Sequence, residues 1–143
     1  MKLTDNQIRE IAELLECGHQ CFVHKPTRTI EYHPDPLDSF YDPEPWQDLI
    51  DKIEENWNDY ERFEKMDSSK AFRVMEDFVD SLDNDDLNKR FEYALSRPKP
   101  FRNFKYEIDQ SEYRQAWFDF RLNANIEWVK EQLEEKAPVP NKG

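Results

Sequence analysis

The sequence predicts an α+β fold: a small antiparallel sheet, a hairpin with a possible third strand, packed on a mainly helical body with a long C-terminal helix. Three observations point there. Two short runs rich in aromatic and β-branched residues, His19–Lys25 and Thr29–His33, flank Pro26-Thr27-Arg28 as strands flank a turn. Apolar residues recur at three- and four-residue spacing through most of the remaining chain. The stretch Leu87–Leu133 carries aromatic anchors at Phe91, Tyr93, Phe101, Phe104, Tyr106, Tyr113, Trp117, Phe118, Phe120 and Trp128, with arginines and lysines between them.

Taken in order, the first helix runs over Leu3–Glu16. Thr4-Asp5-Asn6-Gln7 fits a capping box, and Leu3 with Ile8 fits a hydrophobic staple. Ile8, Ile11, Ala12 and Leu15 make its apolar face, and Gly18 ends it because glycine tolerates the left-handed turn. The hairpin follows, without the Asn-Gly or Asp-Gly that marks the tightest turns. Residues 34–45 read as an irregular acidic loop holding Pro34, Pro36, Pro43 and Pro45. Pro45 opens a helix whose apolar positions are Trp46, Leu49, Ile50, Ile53 and Trp57. Tyr60–Met66 fits a continuation of that helix or a third strand beside the hairpin, and the strand is preferred. Asp67 or Ser68 caps the next helix, with the stripe Ala71, Val74, Met75, Phe78 and Leu82. Asp83-Asn84-Asp85-Asp86 starts another, burying Leu87, Phe91, Ala94 and Leu95. Arg97-Pro98-Lys99-Pro100 breaks the chain, and Pro100 begins a short helix carrying Phe101, Phe104 and Ile108. Ser111 then caps the last helix. One of its apolar stripes is Tyr113, Ala116, Trp117, Phe120, Ala124 and Trp128; the other is Phe118, Leu122, Ile126, Val129 and Leu133. Two stripes imply cover on two sides and a central position.

A chain of 143 residues suggests one domain, taken as 1–136, with a flexible tail over 137–143. No apolar run approaches the ~20 residues of a membrane-spanning helix, and the start of the chain lacks a signal-peptide core, so a cytoplasmic protein is expected. Two cysteines suit a reducing compartment. The net charge of −12 is unevenly placed: residues 35–86 hold 18 acidic and 5 basic side chains, whereas 87–130 hold 6 and 9. Such a chain is repelled by nucleic acid and by anionic membranes unless a local patch overrides the field. With only two glycines there is no glycine-rich phosphate loop, and no cofactor is expected.

The runs IAELLECGHQCFVHKPTRTIEYHPDP, MEDFVDSL and LNKRFEYALSRPKPFRNFKYEI, followed by W-F-D-F-R and I-E-W-V, resemble an uncharacterised bacterial family, uncharacterised protein family 0158. The resemblance covers roughly Ile8 to Leu133. It is strongest from Ala94-Leu95 through Phe101-Arg102-x-Phe104-Lys105 and at Ile126-Glu127-Trp128. The chain departs at the hairpin turn, where the resemblance implies Thr-Gly-Glu and Thr27-Arg28-Thr29 stands instead. The resemblance implies an intracellular bacterial protein and supplies no catalytic residues.

Three constellations carry possible chemistry. Cys17, His19, Cys21 and His24 have the donor types of a zinc site, and a cysteine–histidine pair among them has those of a nucleophile. Their spacing instead favours core thiols and strand-face histidines, since Cys21 and His24 point to opposite faces of a strand, and no metal is expected. Asp35, Asp38, Asp42 and Glu44 have cation-binding oxygens but no EF-hand spacing, which favours a solvated acidic loop. The third set is basic: Arg90, Arg97, Lys99, Arg102, Lys105, Arg114 and Arg121. Intramolecular pairing with the acidic 35–86 segment is the bland account of it, and an anion-binding face edged by aromatics is the functional one. The function expected is a non-catalytic protein-binding or regulatory module whose partner is another protein. The alternatives are an enzyme with its site between the sheet and the C-terminal helices, or an acidic mimic of nucleic acid.

Overall fold

The computed structural model describes residues 1–34, 42 and 44–136. The acidic-loop carboxylates Asp35 and Asp38 and the 137–143 tail lie outside the described residues. The residues group into two compact units, Met1–Lys65 with Asn125–Gly143, and Met66–Ala124.

The first unit is built on a three-stranded antiparallel sheet in the order β2-β1-β3, where β1 is His19–His24, β2 is Ile30–Pro34 and β3 is Tyr60–Phe63. The preference for a third strand is therefore met, and β3 pairs with the first arm of the hairpin, Cys21 opposite Phe63 and His24 opposite Tyr60. Cys21, Phe22 and Val23 are all buried, so both faces of β1 are covered. On one face Phe22 and Tyr60 pack with Ile53 and Leu49 of α2 (Gln47–Glu55). On the other lie Cys21, Val23 and Phe63, each fully buried, and α1 (Asp5–Glu16) lies against β1 and β2. The capping box of α1 forms in both directions: Gln7 N–H donates to Thr4 Oγ1 at 3.2 Å, and Thr4 N–H to Gln7 Oε1 at 2.9 Å. Trp57 departs from expectation. The helix ends at Glu55, and Trp57 sits in a 3-10 turn, 53% exposed.

The hairpin closes through a four-residue loop. His24 N–H donates to the Thr29 carbonyl at 2.9 Å and Arg28 N–H to the His24 carbonyl at 2.7 Å. Arg28 has φ +62°, the left-handed region in which a side chain is strained. This explains why glycine suits the central place of that turn. Thr27 Oγ1 lies 2.8 Å from both His24 Nδ1 and Thr29 Oγ1 and ties the loop together. Arg28→Gly should raise stability by about 0.5–1 kcal/mol, the strain relieved less the entropy a glycine gives the unfolded chain. Thermal denaturation of the variant checks this, and a lower midpoint would show that the Arg28 Nε bond to the Lys2 carbonyl matters more.

The second unit stacks three helices, α3 (Ser68–Ser81), α4 (Asp85–Ser96) and α5 (Pro100–Asp109), with the first part of α6 (Arg114–Lys136). Asp67 caps α3, accepting from Lys70 N–H at 2.8 Å, and Asn84 caps α4, accepting from Leu87 N–H at 3.1 Å. The core is aromatic. Phe104 lies 5.6 Å from Phe91, 5.0 Å from Trp117 and 6.5 Å from Phe78, centroid to centroid. Each such pair adds about 0.5–1.5 kcal/mol beyond its buried area. Phe101, expected beside Phe104 and Ile108, is 44% exposed, because it lies at the margin of the stripe those two define. Ser111 does not cap α6. Its hydroxyl donates to the Ile108 carbonyl at 2.9 Å and accepts from Tyr113 N–H at 3.2 Å, a tight turn that delays the helix to Arg114.

From Asn125 onward α6 belongs to the first unit, and there two amides share the buried stripe with Val129. Gln132 accepts from Glu64 N–H at 2.9 Å and donates to the Glu64 carbonyl at 3.0 Å, so the end of β3 is paired by a side chain as a strand would pair it. Trp128 Nε1 donates to the same carbonyl at 2.7 Å, and Asn125 Nδ2 to Glu16 Oε1 at 3.2 Å. Among the described residues no helix is long and apolar enough to cross a membrane.

Candidate functional site

The seven basic residues do not converge on one surface. Arg97, Lys99 and Arg102 line a cleft of about 390 Å³ between α4 and α5, with Tyr93, Tyr106 and Glu107. The helix periodicity explains the cleft. Phe91, Ala94 and Leu95 turn one face of α4 inward, so Tyr93 stands on the opposite face, 62% exposed. Phe104 and Ile108 do the same in α5, leaving Arg102 and Tyr106, four residues apart, on an outer face with Tyr106 63% exposed. Asn103 fixes the junction by donating to the carbonyls of Ala94 at 3.2 Å and Pro98 at 2.9 Å.

Each cation is held differently. Arg97 donates to the Tyr93 hydroxyl at 2.7 Å, and its guanidinium lies 5.3 Å from the Tyr93 ring centroid, so it is positioned at the wall of the cleft. Lys99 precedes α5 in the left-handed region, φ +62° and ψ +55°, which brings its exposed side chain to the rim. Lys105 does not line the cleft and is exposed on the flank of α5 that also presents Phe101. Lys99, Arg102 and Lys105 have no anionic partner among the described residues.

The other three lie elsewhere. Arg90 reaches across to Glu107 at 2.8 Å, which links α4 to α5 and occupies the carboxylate at the cleft. Arg114 pairs with Asp109 at 3.3 Å and lies 4.6 Å over the Phe118 ring. Arg121 lies over Trp117 and Phe118 at 5.8 and 5.6 Å. The ion pairs of Arg90 and Arg114 are therefore made inside the basic region, not with the acidic 35–86 segment.

The hydroxyls that line the cleft are the phenols of Tyr93 and Tyr106, and the Tyr93 hydroxyl already accepts from Arg97. The cleft offers guanidinium and ammonium donors beside two aromatic rings, which is the chemistry of anion binding. His24 and Glu31 sit on the sheet, not in this cleft. The His24 ring lies tilted against Tyr60 with centroids 5.1 Å apart, and Glu31 pairs with Lys52 at 2.8 Å. Among the described residues no three His, Cys, Asp or Glu side chains are placed to hold a metal ion.

Cys17 is exposed and Cys21 buried, neither in a disulfide. Burial, with Glu10 adding to it, pushes the Cys21 thiol up to about 12. Iodoacetamide at pH 8 should label Cys17 and spare Cys21 in the folded protein, as peptide mapping would show. The same shift has a stability sign. An unfolded cysteine ionises near 9.0 while the folded thiol keeps its proton, so the contribution is full below that pH and falls as the pH rises towards 12. Burial, then the Glu31 hydrogen bond, raises the Tyr60 phenol and adds to the alkaline loss. Denaturant melts at pH 8 and 10 should show the lower midpoint at pH 10.

The residues that line the cleft all fall within a match to a known family. Searches of the curated proteins and of the solved structures return no match. The model of the Uncharacterised protein family (UPF0158) matches residues 39–140, which takes in β3, α2–α6 and the whole of the cleft and leaves the hairpin outside. With most of its length matched, this chain belongs to that uncharacterised family.

Proposed function

We propose that this chain is a non-catalytic binding module that docks an acidic segment of another protein on the basic, aromatic-edged face of α4 and α5. One observation carries the reading. Lys99, Arg102 and Lys105 stand without an anionic partner among the described residues, in a chain with 32 acidic side chains against 20 basic ones. Intramolecular neutralisation was available and these three cations do not use it. Exposed Tyr93, Phe101 and Tyr106 beside them supply the anchor type that concentrates binding energy at protein interfaces. The surrounding negative field disfavours nucleic acid as the occupant and leaves a short acidic peptide segment as the better match. The same reading takes the protein to be cytoplasmic and bacterial.

Crosslinking mass spectrometry on the protein expressed from its own locus tests this. Crosslinks should run from Lys99 and Lys105 into an acidic stretch of one partner. Crosslinks concentrated instead on Lys52, Lys65 and Lys70, within the acidic region, would place the contact elsewhere and overturn the reading.

A further inference from the structure

We infer that the group read by the cleft is a phosphate monoester on an aromatic ring, a phosphotyrosine side chain of the docked segment; this rests on the docking reading above. Charge is the first argument. The cleft holds Arg97, Lys99 and Arg102, while its one lining carboxylate, Glu107, is already paired with Arg90 at 2.8 Å. A single carboxylate brings one charge to these three cations. A phosphate monoester brings about −1.5 to −2 and three acceptor oxygens, and matches donors arriving from three residues.

Preorganisation is the second. Arg97 is held by one nitrogen on the Tyr93 hydroxyl at 2.7 Å, which leaves its remaining N–H groups for an incoming anion. Lys99 occupies φ +62°, a conformation glycine or asparagine adopts at lower cost, and keeps its ammonium at the rim there. The third argument is shape. Tyr93 and Tyr106 are each more than 60% exposed and both line the cleft, so a flat ring entering with its anionic end toward the cations has aromatic walls to meet. About 390 Å³ lies near the small end of the about 300–1,000 Å³ of small-ligand sites, which suits one inserted side chain and not a helix.

The test is an NMR shift titration of the full chain with phenyl phosphate, benzoate and adenosine monophosphate at fixed ionic strength. Phenyl phosphate should saturate with shifts confined to residues 93–107, and benzoate should bind about tenfold more weakly. Lys99→Gly should weaken phenyl phosphate about tenfold while raising the thermal midpoint, opposite signs that a merely structural role does not produce. Equal affinity for benzoate would make the cleft a carboxylate site, overturning the inference and leaving the docking reading intact. Tighter binding of adenosine monophosphate would overturn the assignment to a partner side chain in favour of a free nucleotide. Absence of cleft shifts with phenyl phosphate would overturn the inference outright, while the crosslink pattern judges the docking reading separately.

Discussion

Phe104→Ala should lower the stability of the protein by about 3–5 kcal/mol, the usual cost of emptying a fully packed aromatic site. Phe104 is 1% exposed and touches Phe91, Phe78 and Trp117, rings contributed by three other helices. The alanine removes both its buried area and the contacts that orient the other three. Against a native stability typically about 5–15 kcal/mol, the loss is large enough to unfold a measurable fraction at 37 °C. Phe104→Leu keeps most of the volume and should cost about 1–2 kcal/mol. Phe101→Ala, three residues away and half exposed, should stay within about 0.5 kcal/mol. Urea denaturation of the three variants reads the order directly. Near-equal losses at positions 101 and 104 would mean that the α5 packing described is wrong.

Gln132→Ala should cost about 2–3 kcal/mol, unusual for a glutamine near the end of a helix. Gln132 is 6% exposed, and both ends of its amide bond to the backbone of Glu64. Removing it strands the Glu64 N–H, while the carbonyl keeps Trp128 Nε1 at 2.7 Å. An orphaned part-buried donor loses its desolvation energy without return, and the asymmetry makes the alanine worse than a simple lost bond. Gln132→Glu restores an acceptor for that N–H but cannot donate to the carbonyl, so it should fall between wild type and alanine at pH 7. Hydrogen exchange at Glu64 checks the mechanism: its amide should be protected in wild type and exposed in Gln132→Ala.

Most of the fold was legible because local chemistry and periodicity agreed. Thr4 with Gln7, Asp67 and Asn84 all cap where their side chains suggest, and the Phe91-Ala94-Leu95 stripe is buried as spaced. Trp57 was misplaced because spacing alone cannot see that Asn56 ends the helix with a backbone outside the helical region, φ −121° and ψ +33°. Ser111 has the chemistry of a cap, yet its hydroxyl serves the end of α5 instead. Asn125 and Gln132 were missed for a deeper reason. An apolar pattern counts polar residues as exposed, and their buried amides have partners 109 and 68 residues away in sequence.

The candidate site was half legible. Residue type marks Arg97, Lys99 and Arg102 as cations, and the off-stripe positions of Tyr93 and Tyr106 mark them as exposed. Which cations remain unpaired depends on packing. Arg90 and Glu107 lie on adjacent helices and meet only once α4 and α5 are docked. Arg114 and Asp109 are five residues apart and meet across the turn that joins the end of α5 to the start of α6. The left-handed backbone of Lys99 has a faint signal in the Pro98-Lys99-Pro100 sequence, which rules out a continuous helix without fixing the sign of φ.

The most direct measurement of the docking face is the yield of the crosslinked partner from cells carrying wild type or the double variant Arg97→Glu/Arg102→Glu, with Arg73→Glu as a charge-reversal control on α3. Both lysine attachment points survive in the double variant. A loss of at least about tenfold in the double variant alone, with folding intact by circular dichroism, is the result expected for a charge-steered interface. Unchanged yield in the double variant, or equal loss with Arg73→Glu, would contradict the assignment of the docking face to α4 and α5.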